Sequence, residues 1–132
     1  MIFIDSGLWI EASSPSDSYH QQAGDWFRRL KEQGDLVGVT ESVISESVGF
    51  FARKVDSKAA KTVCAHILGQ RRLEVLVPST PEFLAAGSLV EKYALSSYAD
   101  ALTMAVMESR GIRDVLSFDA DFDKNPRLHR LH

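Results

Sequence analysis

The chain begins with MIFIDSGLWI (residues 1–10), in which a short apolar run leads directly to an acidic residue. Residues 1–5 have the composition of a buried strand, and that strand ends on Asp5. A carboxylate taken out of water is costly unless it is paired, neutralised or bound to a metal ion. Asp5 therefore predicts that other groups of the chain meet it where the strand ends.

Strand-like and helical segments alternate along the rest of the chain. Further strands are predicted at residues 36–39, 73–77 and 115–118, each bounded by turn residues. Helices are predicted from about Ala23 to a stop at Gly34, after Thr40, over residues 57–69, after Pro81 and from about Ser97. This alternation favours a parallel sheet covered by helices on both faces.

Length and composition indicate one folded domain spanning residues 1–132. Hydrophobic residues make up 45% of the chain and charged residues 25%, which excludes a disordered protein. No apolar stretch approaches the roughly 18 residues of a membrane span, and no basic leader precedes the first strand, so we expect a cytoplasmic protein. Cys64 is the only cysteine, which excludes an internal disulfide.

Two acids follow predicted strands. Asp5 comes after the first strand and Asp119 after the last, and ligands of open parallel sheets bind beyond the carboxyl ends of the strands. The spacing of Asp119, Asp121 and Asp123 resembles a calcium loop, but Lys124 and Arg130 occupy the positions that require glycine and glutamate. Asx turns in an exposed loop remain the structural alternative for these acids.

Two further acids lie on predicted helices, and each has a purely structural alternative. Glu46 is predicted on the side of its helix that carries Val43 and Phe50, although a solvated residue at the helix edge fits equally. Asp100 forms a capping-box pattern with Ser97. Four acids spread over the whole chain are better explained by convergence on Mg²⁺ or Mn²⁺, which prefer hard oxygen ligands. Such ligation would also remove the objection that a net charge of −3 raises against nucleic-acid binding.

Four segments in this order resemble the PIN-domain family, especially the VapC-type toxin ribonucleases of toxin–antitoxin pairs. They are Phe3-Ile4-Asp5-Ser6 with Trp9-Ile10, Thr40-x-x-Val43-x-x-Glu46, Tyr98-Ala99-Asp100-Ala101-Leu102, and Leu116-Ser117-Phe118-Asp119-Ala120-Asp121-Phe122. The resemblance implies a PIN-like three-layer α/β/α sandwich with a central, mainly parallel sheet of four or five strands. It covers nearly the whole chain.

The resemblance also implies a site and an activity. Asp5, Glu46 and Asp100 would be the primary metal ligands, and Asp119, or alternatively Asp121, the fourth acid. Ser6 and Ser117 occupy positions where the family often has a hydroxyl. The implied activity is Mg²⁺- or Mn²⁺-dependent hydrolysis of RNA by an activated water, leaving a 5′ phosphate and a 3′ hydroxyl. The implied partners are a small antitoxin and, in a homodimer, a second copy of the chain.

Several features of this hypothesis have alternatives. A PIN-like module that binds RNA or a protein without cutting is the rival function. A basic stretch could guide RNA or simply be a solvated surface, and consists of Arg53, Lys54, Lys58, Lys61, Arg71 and Arg72. Trp9 could stack a nucleobase or belong to the core.

Overall fold

Five short parallel strands form the centre of the protein, whose computed structural model describes residues 1–132. The strands are β1 (Ile2–Ile4), β2 (Val37–Thr40), β3 (Leu73–Leu76), β4 (Asp114–Leu116) and β5 (His129–Leu131). Their order in the sheet is β3-β2-β1-β4-β5, and every neighbouring pair is parallel. Phe3 of β1 lies opposite Gly38 on one side and Val115 on the other.

Six helices connect these strands. They are α1 (Ser6–Ala12), α2 (His20–Gln33), α3 (Glu41–Lys54), α4 (Ser57–Leu68), α5 (Thr80–Tyr93) and α6 (Tyr98–Ser109), with a 3₁₀ turn over Ala120–Lys124 before β5. The chain moves from β1 to β3 in one direction and then returns past β1 to β4. Because such crossovers are right-handed, α1 to α4 cover one face and α5 and α6 the other. Contacts among α1 to α4, and between α5 and α6, agree with this three-layer arrangement.

Local signals fix where the helices begin and end. The Thr40 side chain accepts a hydrogen bond from the Val43 N–H at the start of α3. Ser79 and Glu82 form a reciprocal capping box at the start of α5. Gly34 ends α2 with φ 69°, a left-handed conformation that favours glycine. These ends lie within a few residues of the predicted ones.

Two elements were not located from the sequence. Residues 6–12 form α1, although Leu8, Trp9 and Ile10 give this segment the composition of a strand. Asp5 decides the outcome because its side chain caps the helix, a role for which aspartate is preferred. The second element, β5, is an edge strand of three residues with little buried apolar surface, so it has no hydrophobic pattern.

One core joins the sheet to both helical layers, as a single cluster of 26 buried hydrophobic residues. Trp9 belongs to it and is 1% exposed, so the core interpretation of this residue is confirmed and stacking on a substrate base is excluded. No helix of the protein combines the length and the apolar character that a membrane crossing requires.

Candidate active site

Asp5 is the most firmly held acid of the candidate site. Its Oδ1 accepts a hydrogen bond from the Ser6 N–H at 2.7 Å, and its Oδ2 accepts one from the Ser117 hydroxyl at 2.7 Å. The residue is only 6% exposed. Burial and two donors therefore hold the carboxylate in one orientation at the carboxyl end of β1.

Ser117 links the ends of two adjacent strands. It follows β4, is fully buried, and accepts a hydrogen bond at Oγ from the Asp119 N–H at 3.0 Å while donating to Asp5. The strands β1 and β4 are neighbours where the direction of the chain through the sheet reverses, which is where open α/β sheets bind ligands. The family resemblance marked Ser117 as a position that often carries a hydroxyl, and in the structure this hydroxyl holds Asp5 and the backbone of Asp119 in place.

Asp100 enters the same region from the opposite helical layer. It lies in the first turn of α6, which runs back towards β4, so that this turn reaches the edge where the strands end. Its backbone N–H donates to Ser97 Oγ at 3.2 Å, which is the serine half of a capping box. The reciprocal hydrogen bond to the Asp100 carboxylate is not formed. The carboxylate of this largely buried residue, which is 9% exposed, is therefore free to face the other acids.

The pKa values of Asp5 and Asp100 show that the predicted acids share one electrostatic environment. The pKa of Asp5 is raised to about 6. Burial is the largest cause, the hydrogen bonds from Ser117 and Ser6 oppose it, and the charges of Glu46 and Asp119 act in the same direction as burial. Burial also raises the pKa of Asp100 to about 7. The negative charges that add to this second effect are those of Asp5, Asp119, Glu46 and Asp121, in decreasing order.

Glu46 and Asp119 lie at the solvent side of the two buried acids. Glu46 is exposed, in agreement with the alternative of a solvated residue at the helix edge: the buried residues of α3 are Val43, Ser47 and Phe51, and Glu46 lies beside that stripe. Glu46 makes no hydrogen bond or ion pair, so its side chain is free to reorient. Asp119 Oδ1 accepts a hydrogen bond from the Asp121 N–H at 2.8 Å, which is the Asx turn considered for this loop.

The other acids of the 119–123 loop have cationic partners. Asp121 pairs with Lys124 at 2.7 Å, and Asp123 pairs with Arg130 at 2.7 Å. Asp121 also has the smallest effect on the pKa of Asp100, whereas Asp119 affects both buried acids. Asp119 is therefore the better candidate for the fourth acid.

The four acids are of the residue type that binds divalent cations, but their side chains are not arranged around one point. No three acidic, histidine or cysteine side chains stand close enough to form a ready-made metal cluster. Burial raises the pKa values of Asp5 and Asp100, and the charges of neighbouring carboxylates contribute in the same direction, so a divalent cation would favour the charged forms of both acids. Ligation requires the exposed side chains of Glu46 and Asp119 to rotate towards the two buried anchors.

A cavity of about 640 Å³ lies between α2 and the loop that joins α4 to β3, and its walls include Phe27, Leu30 and Arg72. None of the four candidate acids lines this cavity.

The family of the chain follows from comparison with known proteins. A family model described as PIN domain matches residues 2–128, and the chain therefore belongs to the PIN-domain family. The resemblance noted in the sequence is confirmed, and so is the predicted α/β fold.

Individual relatives are VapC proteins. The chain is 26% identical over 123 residues, 92% of each protein, to the 23S rRNA-specific endonuclease VapC20 of Mycobacterium tuberculosis. The crystal structure of VapC20, described as a toxin that cleaves the sarcin–ricin loop, matches with a TM-score of 0.79 and 24% identity over 93% of each chain. VapBC2 from Rickettsia felis, bound to a promoter DNA fragment, gives a TM-score of 0.75 at 13% identity and covers 99% of this chain and 98% of that one.

Proposed function

We propose that the protein is a Mg²⁺- or Mn²⁺-dependent endoribonuclease and the toxin of a type II toxin–antitoxin pair. One observation carries this proposal. Two buried carboxylates that are far apart in sequence, Asp5 and Asp100, lie in one negatively charged environment where the direction of the chain through the parallel sheet reverses. Buried acids that repel one another destabilise a fold, so their presence is best explained by a cation that they bind. The family and the endonuclease activity of VapC20 support the same conclusion.

The four acids have different parts in this proposal. Asp5 and Asp100 are fixed anchors, and Glu46 and Asp119 complete the set from the solvent side. A bound Mg²⁺ or Mn²⁺ would supply positive charge against the scissile phosphate and the charge that develops on it. Ser117 holds the Asp5 carboxylate and the backbone of Asp119 in fixed positions, so Asp5 does not need to reorganise when substrate binds.

Exposed positive charge would bind the RNA backbone. Six cations are exposed and take part in no ion pair: Arg53, Lys54, Lys58, Lys61, Arg71 and Arg72. Arg53 lies two helical turns after Glu46 on the same side of α3, roughly 10 Å along the helix axis. The net charge of −3 therefore does not prevent phosphate binding, because these cations are exposed and have no acidic partner.

A protein partner forms the second half of the proposal. Solved structures of similar fold include a toxin–antitoxin complex from Klebsiella pneumoniae, with a TM-score of 0.70 and 12% identity over 98% of this chain and 96% of that one. We propose a small antitoxin as the inhibitor, a homodimer as the assembly and the cytoplasm as the site of action. Co-purification with the product of a neighbouring small gene would test the antitoxin.

Cleavage assays test the nuclease. We expect wild-type protein with Mn²⁺ to cut single-stranded or structured RNA, including a 23S rRNA fragment chosen from the substrate of VapC20. Asp5→Asn and Asp100→Asn should each lower the rate at least about 100-fold, whereas the control Asp114→Asn, at a half-exposed acid paired with His129, should not. Equal rates for all four proteins would end the nuclease proposal, and RNA binding without cleavage would favour the non-catalytic module.

A second pair of variants tests the fourth acid. Asp119→Asn should lower the rate of cleavage strongly. Asp121→Asn, whose carboxylate is already paired with Lys124, should change it only a few-fold. The reverse order would assign the role to Asp121.

A further inference from the structure

An exposed tyrosine stacks on a partly buried phenylalanine of the segment that carries Ser117 and Asp119. The ring of Tyr19, immediately before α2, stacks on the ring of Phe118 with centroids 4.9 Å apart and planes 22° from parallel. Phe118 stands between Ser117, which bonds to Asp5, and Asp119. The stacked pair is therefore anchored on the segment that carries Ser117 and Asp119.

The pair is held from both sides. Phe118 packs against the hydrophobic core, and one face of the Tyr19 ring covers it. The Tyr19 N–H donates to Asp17 Oδ1 at 3.0 Å, and the next residue, His20, bonds through Nδ1 to the Glu11 carbonyl at 2.9 Å. These bonds fix the backbone on both sides of Tyr19 and orient its ring before any ligand arrives.

Tyr19 differs from the other tyrosines of the chain. The hydroxyl of Tyr93 donates to Asn125 and that of Tyr98 donates to the Phe83 carbonyl, whereas the hydroxyl of Tyr19 has no partner. Tyr19 is also 47% exposed, although its ring is stacked on one side. A flat, oriented and half-covered aromatic ring beside a phosphate-binding site has the properties of a stacking platform for a nucleobase.

We propose that Tyr19, supported by Phe118, is a nucleobase-binding subsite for an unpaired nucleotide next to the scissile phosphate. This inference rests on the proposed RNA-cleaving function and adds the form of RNA that the site accepts. Stacking uses the π-face that every base has, so the subsite tolerates any sequence but requires a base that has left its helix. A nucleotide locked in a duplex cannot reach it.

Two variants separate stacking from other roles of Tyr19. Tyr19→Leu removes the aromatic face and should raise the KM for single-stranded RNA about 10-fold or more, with kcat changed far less. Tyr19→Phe keeps the face and should behave like wild type. Phe83→Leu, at an aromatic residue of α5 that is 39% exposed and lies outside the segments that carry the acids, is the control and should leave KM unchanged.

A substrate that lacks one base provides a second test of stacking by Tyr19. In an RNA with an abasic position beside the cleavage site, wild type and Tyr19→Leu should have equal KM values, because neither protein can stack a missing base. An unchanged KM for Tyr19→Leu on normal RNA, or equal losses in Tyr19→Phe and Tyr19→Leu, would overturn the subsite while leaving the nuclease proposal intact.

Binding without cleavage makes the test independent of activity. With a chelator present, the anisotropy of a fluorescently labelled single-stranded RNA should report about 10-fold weaker binding by Tyr19→Leu than by Tyr19→Phe. If wild-type protein cuts no RNA but this difference remains, the nuclease proposal fails and the subsite stands. Equal affinities of the two variants would reject the subsite whether or not the protein cleaves RNA.

Discussion

The Ser117 hydroxyl donates a 2.7 Å hydrogen bond to Asp5 across 112 residues of sequence, and it joins the ends of two neighbouring strands. It is the only donor to Asp5 Oδ2. The bond lowers the pKa of a carboxyl that burial raises, so Ser117 keeps Asp5 closer to its charged form. A neutral hydroxyl thus keeps the acid in one orientation and closer to its charged form.

We expect Ser117→Ala to lower the free energy of unfolding at pH 8 by about 1–3 kcal/mol, because a buried, charged oxygen loses its donor. At pH 5, below the pKa of about 6, Asp5 is largely protonated and the loss should be smaller. Urea denaturation at both pH values measures this, with Ser45→Ala on the exposed surface of α3 as the control. A loss of the same size at both pH values would contradict the assigned bond.

Asp100→Asn should stabilise the metal-free protein while it abolishes cleavage. The folded-state pKa of Asp100 is about 7 against an ordinary value of 3.8, so wild-type stability falls as the pH rises from about 4 to about 7. At pH 8 the variant should gain on the order of 1 kcal/mol or more. The gain should shrink towards pH 4, and millimolar Mg²⁺ should stabilise wild type more than the variant. A variant less stable than wild type at pH 8 would show that Asp100 is not electrostatically strained.

The Glu82–Arg110 pair should matter for stability alone. Arg110 donates to Glu82 through Nε at 3.0 Å and Nη2 at 2.9 Å, and it holds the pKa of that nearly buried carboxyl well below its usual range. Arg110→Met should lower the free energy of unfolding by about 3 kcal/mol, because a buried charge loses its partner. The double variant with Glu82→Gln should recover part of that loss, with cleavage per folded molecule unchanged. Additive losses in this double-mutant cycle would show that the pair is not coupled.

Two glycines, Gly24 within α2 and Gly34 just after it, should respond to substitution in opposite directions. Gly24→Ala should raise the free energy of unfolding by about 0.5–1 kcal/mol, since a Cβ there meets no atom within 4 Å and alanine favours helix. Gly34→Ala should lower it by about 1 kcal/mol, because the residue has φ 69° at the end of the helix. Chemical denaturation of both variants measures the two signs, and a shared sign would contradict the assigned end of α2.

The fold was predictable because its strong signals are local. Helix starts at Thr40 and Ser79 and the stop at Gly34 depend on neighbouring residues, which the sequence displays directly. The helix α1 was not predicted because three consecutive apolar residues in a seven-residue segment do not distinguish strand from helix. The identity of the cap, Asp5, was the available signal.

The candidate site was predictable as a set of residues but not as an arrangement. The positions of Asp5 and Asp119 after strands indicated a common edge of the sheet. The exposed position of Glu46 depends on which residues α3 buries, which only tertiary packing decides. The stack of Tyr19 on Phe118 joins residues 99 positions apart, and no pattern within either segment indicates it.

The bond between Ser117 and Asp5 also sets the order in which the candidate site can assemble during synthesis. Asp5 is translated 112 residues before Ser117, which follows β4. A nascent chain therefore lacks the donor to Asp5 Oδ2, and the neighbouring Asp119, until that later segment has been made.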